Sequence, residues 1–315
     1  MNFIRGKIPR RFWRWLFNDP SLVSHLCEAE RSEVDWLRAT PFLLIHVACL
    51  GVLLVGVSPS AVIIATTSFF LRMFFISAFY HRYFSHRAFR ANRIVQFLMA
   101  LAGCTAGQRG ALWWAGHHRE HHETADSPSD PHSPLHRGFL YSHTLWFLTR
   151  GSFAVREARV NDWLRYPELK WLERLDFLPF ILFAIACYCL GAGFEQYAPE
   201  FDTSAEQILV WGLFVSTVFL YHATYTINSL AHGHGSRRYA TPDDSRNNLW
   251  LALITLGEGW HNNHHRYPAA ARQGFYWWEI DVSFLILKLM SVLGIVGDLR
   301  PVPAHILTDK KNVDP

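Results

Sequence analysis

Long apolar runs dominate the pattern of hydrophobic and polar positions along the chain. Residues 42–58 and 61–80 are separated by a short turn, and residues 177–194 and 208–228 form a second pair around an acidic loop. Each run is close to the ~20 apolar residues that an α-helix needs to cross ~30 Å of hydrocarbon. The pattern therefore predicts an all-α integral membrane protein with four transmembrane helices, arranged as two hairpins.

Three shorter apolar stretches fall below that length. Residues 95–106 and 139–148 predict interfacial or re-entrant segments, and residues 282–296 are interrupted by Lys288. We expect none of them to cross. The sequence has no linker or low-complexity segment that would separate two domains. We therefore expect an N-terminal segment over residues 1–41, one membrane domain over 42–300 and a tail over 301–315.

The positive charges indicate an orientation. The two hairpin loops contain no Lys or Arg, whereas residues 1–41, 81–176 and 233–315 contain 7, 13 and 9 of them. Because cations stay on the cytoplasmic side, both termini and the long middle segment are expected there, in a bacterial inner membrane. No cleavable signal peptide is apparent. Residues 3–17 mix Arg with Trp and Phe, which predicts either an interfacial segment or a disordered basic tail. The net charge of only +4 gives no indication of nucleic acid as a partner.

Histidine clusters supply the candidate chemistry. Nine of the 18 histidines fall in four short groups, and two of these groups repeat the spacing i, i+3, i+4, which puts three imidazoles on one helix face. His81 and His86 are five residues apart, so we expect their helix to end or bend between them. Asn228 lies four residues before His232. The nine candidate ligands are His81, His86, His118, His121, His122, His232, His261, His264 and His265.

Nine imidazoles are too many for one metal ion and suggest two. Imidazole suits Zn, Cu, Fe and Ni, so the ligand type leaves the metal open. A nitrogen cage beside lipid-facing helices fits chemistry on a long apolar substrate. Unactivated C–H bonds require an oxidant made from O2, which favours iron over redox-silent zinc. With four spans, every histidine group reaches the same side of the membrane.

The segments His81-Arg-Tyr-Phe-Ser-His86, His118-Arg-Glu-His-His122 and His261-Asn-Asn-His-His265 resemble the three histidine boxes of membrane fatty acyl-CoA desaturases. The stretches Asn228-Ser-Leu-Ala-His232 and Gly257-Glu-Gly-Trp260 are also similar to that family. The resemblance covers residues 40 to 300. It is to the stearoyl-CoA or delta-9 type in a bacterial-like form, without a fused cytochrome b5 domain.

This resemblance implies a di-iron enzyme that uses two iron ions (Fe2+/Fe3+) and O2 to insert a cis double bond, at the delta-9 position, into a saturated fatty-acyl chain. It implies that the nine histidines are ligands and that Asn228 reaches one iron through a water. The implied substrate is a long-chain acyl-CoA or acyl-lipid. Electrons would come from a separate donor such as ferredoxin, cytochrome b5 or a reductase.

Two other functions stay open at this point. One is a di-iron hydroxylase or decarboxylating oxygenase that acts on fatty acids or alkanes. The other is a metal transporter, which would need polar ligands in mid-membrane, where the spans offer only isolated groups such as Arg72 and His222. His222 is expected to pack within the helix bundle, and His117 is expected to point away from the ligand face.

Two sets of residues are candidates for substrate contact. Phe69, Met73 and Ser77 share the helix face of His81, so they could line an acyl tunnel and limit chain length, although ordinary helix packing gives the same pattern. Cations past residue 148 could hold an anionic head group, or could be topology signals alone. These cations are Arg150, Arg156 and Arg159.

Overall fold

The structure is a computed structural model that describes residues 10–309. It is mostly helical, with one short antiparallel strand pair, β1 (Arg90–Ala91) and β2 (Val296–Gly297). Residues 1–9 of the predicted N-terminal segment and residues 310–315 of the predicted tail lie outside the described part. The limits predicted for the three regions of the chain stay predictions.

Four helices are long and apolar enough to cross a membrane, as the sequence predicts. They are span 1 (Trp36–Val55), span 2 (Pro59–Ser85), span 3 (Leu178–Tyr197) and span 4 (Ala205–Ser229). Span 1 begins six residues before the apolar run because the Asp35 carboxylate accepts a hydrogen bond from the Leu37 amide (3.2 Å) and caps the first turn.

Spans 2 and 4 form the inner pair of the bundle. About half of the apolar window of span 2 and 61% of that of span 4 are buried, compared with 11% and 17% for spans 1 and 3. Arg72 in span 2 is buried and donates to Thr217 Oγ1 (2.7 Å), Ser216 Oγ (2.5 Å) and the carbonyl of Thr105 (3.1 Å). This cation therefore faces protein, as its cost in lipid requires.

Span 2 ends in a π-helix over Phe75–Ser85. The His86 amide donates to the carbonyl of His81 (3.3 Å), five residues back. The helix does end between these two histidines, at Ser85, as expected. The wider turn nevertheless keeps residues five apart on the same side, so both rings face the site.

Short helices and turns form a cap at one end of the spans. Because the links within the two hairpins are short, residues 86–177 and 230–309 both lie at that end. The stretches Arg93–Cys104 and Val282–Val292 are helices of 12 and 11 residues, too short to cross. The other cap and N-terminal helices are Arg10–Leu16, Glu28–Arg31, Ala111–Thr124, Pro134–Arg137, Asn161–Leu164, Pro167–Arg174, Leu249–Ile254, His261–Arg266 and Ala304–Thr308, with a π-helical turn at Tyr141–Leu145 and 3-10 turns at Pro20–Leu22, Trp146–Leu148, Arg150–Ser152 and Glu157–Arg159. The 3-10 turn at Pro199–Phe201 lies in the loop between spans 3 and 4.

Candidate metal centre

All nine histidines singled out in the sequence come together in the cap, in two adjacent groups. Within each group the candidate ligand atoms lie within 4.8 Å of one another. The five-imidazole group contains His81, His86, His118, His122 and His264. The four-imidazole group contains His121, His232, His261 and His265. The structure thus brings the predicted residues together, and their role as ligands stays a prediction.

Two helices contribute rings to both groups. Ala111–Thr124 gives His118 and His122 to the five-imidazole group and His121 to the four-imidazole group. His261–Arg266 gives His264 to the first group and the other two rings to the second. The i, i+3, i+4 spacing therefore serves two sites at once, because the ring at i+3 leans to the opposite side of the helix face from the ring at i+4.

The carboxylate of Glu173 holds the Ala111–Thr124 helix at its N-terminus. It accepts hydrogen bonds from the amides of Leu112 (3.0 Å) and Trp113 (3.2 Å), two of the donors that a helix start leaves without partners. A Cβ atom at Gly110 would come within 2.2 Å of this carboxylate and would displace it from the helix start. This contact positions the helix that carries three of the nine rings.

The ring nitrogens within the five-imidazole group point at one another. The Nε2 atom of His118 lies 2.9 Å from that of His86, and the Nε2 atom of His264 lies 2.9 Å from that of His122 and 3.0 Å from that of His81. Two imidazole nitrogens this close need a proton or a cation between them. Nitrogen lone pairs that converge from several helices are the donor set of a transition-metal site.

Burial favours the neutral form, which a metal ligand needs, in six of the nine rings. Burial, reinforced by neighbouring imidazoles, holds the pKa of His86, His118, His122, His261 and His264 well below its ordinary value. Burial also lowers the pKa of His265, to about 4, although the Asp243 carboxylate beside it acts in the opposite direction.

Four carboxylates fix the orientation of four of the rings. In the four-imidazole group the Nδ1 atoms of three rings face carboxylate oxygens: His121 with Asp130 (3.1 Å), His232 with Asp126 (2.7 Å) and His265 with Asp243 (2.9 Å). In the five-imidazole group His81 Nδ1 faces Glu258. An Nδ1–H that donates to a carboxylate leaves the Nε2 lone pair free for a metal.

These carboxylates stay charged. Burial alone would raise the pKa of Asp130 and of Asp243. The imidazole hydrogen-bonded to each has the larger net effect and holds the pKa well below its ordinary range. Burial likewise acts to raise the pKa of Glu258, but its contacts with the His81 imidazole and the Arg82 guanidinium lower it to about 2. No spacing in the sequence indicates Asp243, because it lies 22 residues along the chain from His265, the ring that it contacts.

Two cavities meet at the imidazole groups. The larger, of about 290 Å³, extends from Trp15 and Arg38 to His118 and Asn228 and is lined mainly by aromatic side chains. These aromatic residues are Trp15, Phe42, Trp113, Trp114, Trp146, Phe147, Phe177, Phe180, Tyr221 and Tyr225. The smaller, of about 40 Å³, is lined by Met73, Ile76 and Ser77 together with His81, His121 and His261. Residues common to both linings are Trp114, His118, Thr224 and Asn228.

Two of the three residues predicted to line an acyl tunnel do line a cavity. Met73 and Ser77 line the smaller cavity, whereas Phe69 is not among the described residues that line either cavity.

The three arginines singled out for a head group are each paired with a glutamate: Arg150 with Glu33 (2.9 Å), Arg156 with Glu120 (2.6 Å) and Arg159 with Glu123 (2.7 Å). Within residues 10–309, the cations that line the larger cavity are Arg38 and Arg109 instead. The tunnel and head-group roles stay predictions.

Other histidines have contacts that the sequence did not indicate. His117 is buried, with its Nε2 atom 3.2 Å from the carbonyl of Ala154. His222 joins His46 (3.2 Å) and His143 (3.0 Å) in a chain of rings that connects span 1, span 4 and the cap. These three residues lie on separate segments, so no local spacing could reveal the chain.

Comparison with known proteins identifies the family. Residues 57–281 match the sequence profile of the family described as fatty acid desaturase. The chain belongs to the fatty acid desaturase family. This finding confirms the resemblance seen in the histidine boxes, and it makes the chain a multi-pass membrane member of a family of oxidoreductases in lipid metabolism.

Several relatives share most of the desaturase region. A delta-9 acyl-lipid desaturase of Arabidopsis thaliana is 35% identical over 217 residues, 68% of this chain and 67% of the relative. An sn-2 palmitoyl-lipid 9-desaturase of Nostoc is 38% identical over 222 residues, 69% of this chain and 73% of the relative. An acyl-CoA 5-desaturase of Anemone leveillei is 35% identical over 224 residues, 70% of this chain, and the match spans 65% of that relative's length.

Proposed function

We propose that this protein is an O2-dependent desaturase that inserts a cis double bond, at the delta-9 position, into a saturated long-chain fatty-acyl group. The observation that carries the proposal is that the two cavities share His118 and Asn228 in their walls. An acyl chain that extends from the larger cavity into the smaller one passes directly beside the imidazole groups. Family membership supports the same reaction class.

We further propose that the two imidazole groups each hold one iron ion. The residues present fit iron: nine imidazole nitrogen donors converge, and four of the rings have their Nδ1 atoms against carboxylates. Asn228, which lines both cavities, would reach one iron through a water. Bound iron would supply the activation of O2 that is needed to break an unactivated C–H bond.

The surrounding residues bind the substrate, orient it and exclude water. Aromatic walls bury the apolar chain, and their burial of each methylene favours binding by ~0.8 kcal/mol. The length of the larger cavity would fix how far from its head group the chain meets His118, and hence the position of the double bond. Met73 and Ser77, with Phe69 one turn deeper, would limit how many carbons extend beyond that point.

The acyl carrier is proposed as a long-chain acyl-lipid or acyl-CoA, because relatives named for both kinds of substrate match the chain. Arg150, Arg156 and Arg159 remain candidates for the head group. A separate donor, of the ferredoxin, cytochrome b5 or reductase type, would supply the electrons. The protein would lie in a bacterial inner membrane, with both termini and the metal centre on the cytoplasmic side.

Product analysis tests the proposal. Membranes containing the protein are incubated with a saturated acyl-lipid or acyl-CoA, O2 and a reducing system, and the products are identified by gas chromatography and mass spectrometry. An internal cis alkene that is absent from the His264→Ala variant supports desaturation. Hydroxylated acid or terminal alkene would instead indicate a hydroxylase or a decarboxylating oxygenase and would overturn the proposal.

A further inference from the structure

The two imidazole groups differ in the charge that lies behind their rings. In the four-imidazole group, carboxylates face the Nδ1 atoms of three of the four rings, through Asp126, Asp130 and Asp243. In the five-imidazole group, within residues 10–309, only His81 has a carboxylate within 4.0 Å of a ring nitrogen, that of Glu258. The group with fewer rings therefore has more negative charge beside it.

The single carboxylate of the five-imidazole group is also paired with a cation, which it shares with Asp281. Glu258 Oε1 accepts from Arg82 Nη2 (3.1 Å) and Nε (3.3 Å), and the same guanidinium contacts Asp281 (2.9 Å). Arg82 is fully buried, so solvent screens this pair little.

The three carboxylates of the four-imidazole group have no such cation. Among the described residues, no Lys or Arg lies within 4.0 Å of them. Their oxygens accept instead from neutral groups: Asp126 from the amide of Asp244 (2.8 Å), Asp130 from that of His132 (3.0 Å) and Asp243 from that of Ser245 (2.9 Å). Their negative charge is therefore uncompensated at close range.

This difference has a consequence for any metal ion in the two groups. A carboxylate that accepts from Nδ1–H makes the imidazole a stronger electron donor through Nε2. A nearby negative charge also stabilises the oxidised ion more than the reduced ion, and this effect is strong in a buried site. We propose that the two metal sites have different reduction potentials, and that the four-imidazole site is the one with the lower potential. The inference rests on the proposed function, which assigns iron to both groups.

Stepwise reduction follows from this difference. A one-electron reductant adds one electron to one ferric ion and yields one ferrous ion, without making or breaking a bond to carbon. With iron bound, the first electron would reduce the ion held by the five-imidazole group, and the second would reduce the ion held by the four-imidazole group. Asp126, Asp130 and Asp243 are positioning residues in this account, because they act on the metal through the rings that they contact.

Controlled reduction of the purified protein tests the inference. The protein is loaded with ⁵⁷Fe, oxidised, and reduced anaerobically in steps with dithionite against redox mediators, while Mössbauer spectra report the ferric and ferrous iron. We expect two separate one-electron steps, with half of the iron ferrous between them.

Two variants should move these steps in opposite senses. Asp243→Asn removes negative charge from behind the four-imidazole group, so the lower potential rises and the two steps approach each other. Glu258→Gln, the matched control, removes the carboxylate of the five-imidazole group, so the higher potential rises and the steps move apart. Asp126→Asn replaces Asp243→Asn if that variant does not retain two iron ions per chain.

A single step in the wild-type protein would overturn the inference, as would a change of separation in the same sense in both variants. These results differ from failure of the proposed function. A protein that forms no alkene, or that is active without iron, contradicts the function itself. A protein with two irons and normal product but one reduction step contradicts only the inference.

Discussion

Replacing Met73 by Ala should move the substrate preference toward longer acyl chains. Met73 is 1% exposed and lines the smaller cavity, on the far side of His118 from the larger one. The substitution removes three heavy atoms, which makes room for about two methylene groups. Each buried methylene contributes ~0.8 kcal/mol, so a substrate two carbons longer should gain ~1.6 kcal/mol. This free energy corresponds to a shift of about 15-fold in the ratio of kcat/KM values.

The assay is a competition between saturated substrates that differ by two carbons, with the products separated by gas chromatography. The space that Met73→Ala leaves in the core should also destabilise the protein by ~2 to 5 kcal/mol. Thermal unfolding is therefore measured in parallel. Met290→Ala is the matched control, because Met290 packs at the edge of the core and does not line either cavity among the described residues. An unchanged preference in a folded Met73→Ala protein would refute the assignment of the smaller cavity to the acyl tail.

Three further predictions concern the metal centre, the helix that carries it, and the head group. Asp130→Asn should weaken iron binding by about 10- to 100-fold, because His121 loses its charged partner, and competition with a chelator measures this. Burial, together with the negative charge of Asp176, raises the pKa of Glu173 above its ordinary value, so the contribution of Glu173 to stability is full below pH 4.5 and is lost as pH rises through that raised pKa. Thermal unfolding of Glu173→Gln should therefore lack this loss, and a wild-type pH profile in the variant would contradict it. If Arg150, Arg156 and Arg159 bind an anionic head group, changing each to Gln should raise KM and leave kcat unchanged, whereas a lower kcat with constant KM would argue against that role.

The architecture could be predicted from the sequence because its causes are local. Apolar runs near twenty residues give spans. The side of the membrane that the cations indicate for the loops stays a prediction. The start of span 1 could not be placed from hydropathy, because a cap by Asp35 extends the helix through a mixed segment that contains Arg38 and Thr40. The π-helix at Phe75–Ser85 also has no periodic signal in the sequence.

The membership of the centre could be predicted, but its division into two groups could not. In a helix with 3.6 residues per turn, His121 lies about 60° to one side of His118, and His122 lies about 40° to the other. Whether those rings serve one site or two depends on the helices that face them. The Asp243 carboxylate, which faces His265, comes from a loop 22 residues away and resembles an ordinary surface acid until the fold buries it.

The central claim is that nine imidazoles hold two iron ions beside an acyl chain. The most direct measurement is iron content per chain in purified protein, determined together with product formation from the same preparation. The account predicts two iron atoms per chain, loss of alkene formation when a chelator removes them, and recovery when ferrous iron is returned. Full activity in protein that contains no iron, or activity restored equally by zinc, would contradict it.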